Sequence, residues 1–479
     1  MLKSYKINLF TFHLIFAIIC QVSLLLISAI KPIDCINYAI YIMNYVIGFL
    51  IILTLVAKGI AKHFLSIVYF CCYMLFLMAQ KPFEPNYNVY LTFTRVKLDN
   101  AQYRIFAMIV FFGLIVTYFV YLLCTCRKQR PIHDAWMEQK DRNRSSLRIV
   151  LTVLLLVSLP LAFYMQSYVA IARSRMDYTA SYLINVDVPV IVKVGYYIYS
   201  SVILIFLATK PQKRFMYFAL LSFLLVEGGV QLIQGRRALL AATMIFCVWY
   251  LLRYYEIKRI NNKLLFRLIA TALVLLSIFI LVEQTRDNSA RHLSLQSIKR
   301  FFISNGGSDS VIANTIYRKD AFPNNGIVYL LDPFINNPIG NFLLRKHSVP
   351  QGMEYLELHN SFSHWLSYLT ESSLYLSGHG MGSSFLAELY LAFGLIGPFF
   401  GAAIVGWVID ALNRLSLKDN IFKTAFGFFL VRRLFTLPRD SLFSWVGSVV
   451  YLVFTILLVF PFIYTPGLAK CKKNQNIAI

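Results

Sequence analysis

The stretch HNSFSHWLSYLTESSLYLSGHGMGSSFLAELYLAFGLIGPFFG, residues 359–401, passes from a polar loop into an apolar helix. His359, His364 and His379 lie in its first half, and Gly378, Gly380 and Gly382 bracket the entry to the second. Ser383 and Ser384 can cap the helix that starts there. Glu388 then falls about one turn inside, where a carboxylate needs a partner, and an arginine is the natural one. Gly394, Gly397, Gly401 and Ala402 offer the small faces along which membrane helices pack closely. A polar segment delivered onto a membrane helix requires the rest of the chain to supply a membrane domain.

Composition supplies it. Of 479 residues, 58% are hydrophobic and 16% aromatic, with a mean hydropathy of +0.63. That lies above the range of ordinary soluble domains. Apolar runs long enough to cross a hydrocarbon core recur from end to end. They predict one all-α integral-membrane domain over 1–479 with about twelve spans. The expected boundaries are 7–30, 36–57, 63–80, 104–124, 148–168, 189–209, 215–234, 238–252, 264–284, 384–409, 421–437 and 442–465. The first run follows Lys3 and Lys6 and is too long for a signal-peptide core, so it is expected to be retained.

The formal net charge of +24 is spread over loops rather than gathered in one aromatic-laced patch, which argues against a nucleic-acid partner. With the N-terminus inside, the basic loops around Lys58, 127–148, 210–214, 253–267 and 414–423 and the Lys470–Lys473 tail all fall in the cytoplasm, as does the C-terminus. This is the positive-inside pattern. The opposite face carries 81–103, 167–189, the tight turn at 235–237 and one long loop, 285–383, between spans nine and ten. In that loop short helices are expected at Ile298–Ser304 and Met353–Leu369. Turn chemistry is expected at Gly306-Gly307, Pro323–Gly326, Asp332-Pro333 and Asn337-Pro338.

The eight cysteines imply no disulfide framework. Cys124 and Cys126 form a C-x-C with no second pair, and His359 and His364 stand five apart with no H-E-x-x-H. No metal site and no cofactor are expected.

Several arginines lie at the outer ends of helices, where positive-inside predicts few: Arg173 and Arg175 after span five, Arg236 and Arg237 between spans seven and eight, Arg286 and Arg291 after span nine, and Arg439 after span eleven. Arg432 and Arg433 lie deeper. Residues 432, 436 and 439 would share a face if their helix reached that far, and Glu227, Gln231 and Gln234 would share a face of span seven. Charge inside a membrane helix faces a partner or a wet cavity, and guanidinium is the preferred bidentate partner of phosphate. These positions therefore predict an outward cationic cavity for a lipid-linked pyrophosphate. His359 and His364 are candidate general bases for a sugar hydroxyl. Phe362, Trp365, Tyr368 and Tyr375 are candidates to stack on sugar rings.

The run from His364 to Gly406, the QGRR turn at Gln234–Arg237 and the RDSL at Arg439–Leu442 resemble the Wzy-type O-antigen repeat-unit polymerases. The R-x10-G loops of one branch of that family have no counterpart here. The resemblance implies a GT-C-like membrane glycosyltransferase of the bacterial inner membrane. Such an enzyme joins repeat units carried on undecaprenyl pyrophosphate at the periplasmic face, and a chain-length regulator is a further partner. Carried onto this chain, it implies that Arg236, Arg237, Arg286 and Arg439, with Arg432, Arg173 and Arg175, bind pyrophosphate. It also implies that His364, Glu388 or His359 assists the acceptor hydroxyl. The rivals are a ligase moving a finished glycan onto a lipid core, and a flippase or secondary transporter with substrate residues near the midplane.

Overall fold

The computed structural model describes residues 9–31, 34–80, 98–126, 137–174, 183, 188–233, 237–254, 266, 270, 273–274, 276–282, 294–343, 349–415 and 420–461. Every regular element among the described residues is helical. The first six helices are α1 (Leu9–Ile30), α2 (Asp34–Lys58), α3 (Ile60–Leu77), α4 (Asn100–Thr125), α5 (Met137–Ser174) and α6 (Val190–Ala208). Helix α7 (Lys213–Phe223) runs through a π-helical turn, Leu224–Gly229, into a last turn, Val230–Ile233, and α8 covers Arg237–Tyr254.

The outer loop is more helical than its turn residues suggest. It holds α9 (Leu295–Gly306), α10 (Asp309–Tyr317), α11 (Gly326–Ile335), α12 (Pro338–Leu343), α13 (Met353–Leu358), α14 (Phe362–Thr370) and α15 (Ser372–Leu376). Local chemistry starts two of these: Ser294 and Ser297 form a capping box before α9, and the Asn325 side chain accepts from Ile327 N at the head of α11. Two expected turns are corrected. Pro333 sits inside α11, close to its C-terminal end, and Pro338 opens α12, where its fixed φ suits the first helical position.

The chain returns to the membrane through α16 (Phe385–Phe393) and α17 (Ile396–Asn413), and ends in α18 (Ile421–Leu434) and α19 (Val446–Val459). The expected span 384–409 is thereby divided. Gly394 takes φ +62°, a left-handed conformation that side chains resist, and only α17 has spanning length. Among the described residues nine helices are long and apolar enough to cross a membrane: α1 to α4, 147–172 of α5, α6, 213–232, α8 and α17. Helices α18 and α19 have 14 residues each, roughly 21 Å against a core of about 30 Å. Most of the expected span 264–284 lies outside the described residues.

Because lipid offers no hydrophobic drive between helices, polar contacts join them. Gln21 Nε2 donates to Asn44 Oδ1 at 2.8 Å, Asn44 Nδ2 to Ala107 O at 3.3 Å, and Asn37 Nδ2 to Asn100 Oδ1 at 2.8 Å. Thr117 Oγ1 donates to Ala402 O at 3.1 Å, tying α4 to α17. The outer-loop helices rest on this bundle. Helix α10 packs on α4 and α16, α9 on α3, and α11 on α16. A Cβ at Gly326 would lie 2.3 Å from the Leu391 carbonyl carbon, so α11 meets α16 backbone to backbone. Helix α6 packs against α5, α18 and α19 and forms one wall of the site.

Candidate functional site

Two cavities are bounded by the segment 432–448, which leaves α18, makes a 3-10 turn at Leu437–Arg439 and enters α19. The first, about 230 Å³, lies between α6, α8, α18, α19 and the π-helical turn. The Arg432 guanidinium pairs with Glu227 at 3.1 Å and lies 4.6 Å from the centre of the Phe223 ring. Glu227 is 4% exposed and also accepts from Ser200 Oγ and from the Tyr196 hydroxyl at 3.3 Å. Arg433 Nη2 donates to Ser448 Oγ at 3.0 Å. Arg432 Nε is buried and has no hydrogen-bond partner. The Tyr197 and Tyr451 rings stack at 3.9 Å and 3° along the wall. Two guanidinium groups face one carboxylate here, so the cavity carries a net positive charge.

The π-helical turn explains how Glu227 reaches that position. A π-turn widens the helix by one residue and breaks the i, i+4 register. Glu227 therefore faces α6 and Arg432, whereas Gln231 faces α5 and donates to Gln166 Oε1 at 2.5 Å. The expected common face of Glu227 and Gln231 is corrected by this register change, and Gln234 lies outside the described residues.

The second cavity, about 310 Å³, lies where the outer loop meets α16. Asp332, Glu388 and Asp440 line it together with Ser361, Ser363, Ser383, Ser441, Ser444, Tyr329 and a single arginine, Arg439. Glu388 is 2% exposed. Its carboxylate accepts from Ser383 Oγ at 2.7 Å and from Ser441 Oγ and Leu442 N at 3.0 Å each. Burial pushes this carboxyl up to about 7 against the pull of those three donors. Asp332 Oδ1 accepts from Asn360 N at 2.9 Å. Three carboxylates, five serines and one guanidinium make this lining rich in hydrogen-bond acceptors and hydroxyls.

The expected cationic stripe is divided between the two cavities. Helix α18 stops at Leu434, so Arg432 enters the first cavity while Arg439, on the 3-10 turn, reaches the second with its guanidinium 5.1 Å from the centre of the Phe76 ring. Arg237 Nη1 donates to Phe279 O at 3.0 Å, and the guanidinium lies 5.5 Å from the Phe301 ring centre. Arg175, Arg236 and Arg286 lie outside the described residues, as does the side chain of Arg173.

The histidines hold the loop together. His364 Nδ1 and the Tyr375 hydroxyl are 3.1 Å apart, and the His364 ring stacks on Tyr355 at 4.1 Å. His359 packs against the same tyrosine at 4.5 Å and is 7% exposed. Burial, with His359 beside it, holds the His364 imidazole down at about 4. Neither histidine lines the second cavity, although Ser361 and Ser363 of the same segment do. Tyr375 is 1% exposed, and its hydroxyl also reaches Gly352 O at 3.4 Å. Trp365 and Tyr368 are half-buried neighbours on α14, edge to face at 6.2 Å. Among the described residues no three His, Cys, Asp or Glu side chains converge as metal ligands.

Sequence reasoning passed over Asp332, read as a turn residue before Pro333, and Asp440, although the RDSL run contains it. It also passed over Ser200 and Tyr196, whose proximity to Glu227 depends on the π-turn.

A helical bundle with nine helices among the described residues long and apolar enough to cross a membrane, and a long loop seated on it, defines a multi-pass membrane protein. The family model for O-antigen polysaccharide polymerase Wzy matches residues 9–470, nearly the whole chain, and the protein belongs to that family. It is accordingly a repeat-unit polymerase that performs glycosyltransferase-type polymerisation on lipid-linked oligosaccharides, as the motif resemblance implied. No curated protein and no solved structure matches the chain.

Proposed function

We propose that the protein lengthens O-antigen at the periplasmic face of the inner membrane by moving the growing glycan from undecaprenyl pyrophosphate onto an incoming lipid-linked repeat unit. The observation that carries this reading is the opposite charge of the two cavities on either side of 432–448. The Arg432–Arg433 cavity takes the pyrophosphate of the donor and stabilises the charge that develops as it departs. The Glu388 cavity takes the acceptor sugar, whose hydroxyls meet Ser361, Ser363, Asp332 and Asp440, with Arg439 at its edge. Glu388, the one expected base that lines this cavity, receives the proton of the attacking hydroxyl. Helix α14, through Trp365 and Tyr368, supplies an aromatic platform for further sugars of the unit, while His359, His364 and Tyr375 keep the loop in shape. Neither a metal nor a nucleotide sugar enters the scheme.

Purified protein in lipid nanodiscs, given purified undecaprenyl-linked repeat units, is expected to produce a ladder of longer lipid-linked chains. Arg433→Gln is expected to lower the rate by about 100-fold, in line with loss of a transition-state charge contact. Failure of the wild type to elongate would refute the polymerase reading, and a single transfer of finished glycan to a lipid core would replace it with a ligase.

A further inference from the structure

The positive cavity contains a group that the transfer reaction does not need. Glu227 lies on the wall from which Arg432 would greet a phosphate, and it already occupies that guanidinium at 3.1 Å. Ser200 and Tyr196 of α6 hold the carboxylate from behind. Glu227 is buried and the Arg432 side chain is only 13% exposed, and a guanidinium so enclosed that lost its carboxylate without replacement would be disfavoured. A phosphate oxygen is a replacement of the same chemistry. The second donor edge of Arg432, its Nε, is buried without a hydrogen-bond partner, and Arg433 stands beside it donating to the neutral Ser448 hydroxyl. The cavity thus has one guanidinium committed to an internal anion and further donor capacity held open.

We propose that Glu227 is a built-in competitor for the pyrophosphate, which vacates Arg432 when substrate enters and re-pairs with it to expel the product. The proposal rests on the reading of this cavity as the pyrophosphate site. In the transfer, the acceptor hydroxyl oxygen bonds to the anomeric carbon of the donor chain and the bond from that carbon to the pyrophosphate oxygen breaks. The electron pair stays on the pyrophosphate, and the hydroxyl proton passes to the base. The leaving pyrophosphate therefore carries one more negative oxygen than the substrate did. A purely cationic cavity would hold the product more tightly than the substrate, and each round of elongation would stall on release. An anion of fixed charge, held at the mouth of the guanidinium by two hydroxyl donors, offsets that added attraction. The π-helical turn is what allows α7 to present the carboxylate at this depth.

The test uses the full-length protein in nanodiscs, with radiolabelled inorganic pyrophosphate as the probe and Glu227→Gln and Glu227→Asp as variants. Removing the competing charge is expected to tighten pyrophosphate binding by at least about ten-fold in Glu227→Gln, because a like charge within a few ångström opposes an anion. Glu227→Asp, which keeps the charge, is expected to bind as the wild type does. In elongation assays steady-state turnover by Glu227→Gln should fall by about ten-fold, with a burst of first-round product ahead of the slow phase, as release slows. Equal or weaker pyrophosphate binding by Glu227→Gln would overturn the proposal, because a carboxylate that merely positions Arg432 predicts that sign. Wild-type protein that binds no pyrophosphate, with Arg432→Gln no different, would instead remove the cavity from the pyrophosphate reading itself.

Discussion

Glu388 and His364 entered as interchangeable bases, and their surroundings separate them. Glu388 lines a cavity and its carboxyl is raised to about 7 by burial, whereas His364 is wedged between Tyr355 and Tyr375 and held down at about 4. A base acts in its ionised form, so elongation should rise with pH through an acid limb centred near 7. Initial rates measured from mildly acidic to mildly alkaline pH check this. Glu388→Gln should lower the rate by about 100-fold and abolish the limb. His364→Asn, whose parent imidazole is already neutral across that range, should leave the midpoint in place even if the rate drops. A limb that moved with His364 instead would transfer the role to the histidine. Both residues were visible as candidates in the sequence; which of them faces a cavity depends on the turn of α14 and the fold-back of α15, which no spacing rule supplies.

Helices went astray where local backbone irregularities cut across periodicity. The π-turn at Leu224–Gly229 rotates Gln231 away from Glu227, Gly394 divides an apolar run that reads as one span, and the end of α18 at Leu434 separates Arg432 from Arg439. Each breaks a face that 3.6-residue counting draws as continuous. The two glycines at the loop junction make distinct predictions. Gly394 has open space where a Cβ would stand, so Gly394→Ala should cost only the strain of a backbone conformation almost confined to glycine, about 1–3 kcal/mol. Gly326 faces the backbone of Leu391 at contact distance, so Gly326→Ala must separate α11 from α16 and with it displace Asp332 from the Glu388 cavity. Thermal unfolding and elongation rates of the two variants should diverge accordingly, Gly326→Ala losing most of its activity while Gly394→Ala loses stability alone.

The contact between α2 and α4 fixes the ends of the bundle at which two exposed thiols lie. The hydrogen bond between Asn37 and Asn100 puts the start of α2 beside the start of α4, so Cys35 lies at the opposite end of the bundle from Cys126, which follows α4; both thiols are exposed. If the basic loops are cytoplasmic, a membrane-impermeant thiol reagent should label a single-cysteine variant retaining Cys35 in intact spheroplasts, and one retaining Cys126 only after permeabilisation. The reverse pattern would turn the protein over and move the long loop, with the Glu388 cavity at its base, to the cytoplasmic side.

Membrane residence, the all-helical class and the family were legible from residue order, because spanning length, charge bias and short motifs are properties of consecutive residues. What the residues 359–401 touch was not legible. Glu388 was expected to meet an arginine and instead accepts from Ser383, Ser441 and Leu442, while Arg432 pairs with the buried carboxylate of Glu227, 205 positions earlier in the chain. Pairings of that kind arise from how helices cross and where a turn widens, and they are set by close packing over the whole bundle rather than by any window of sequence.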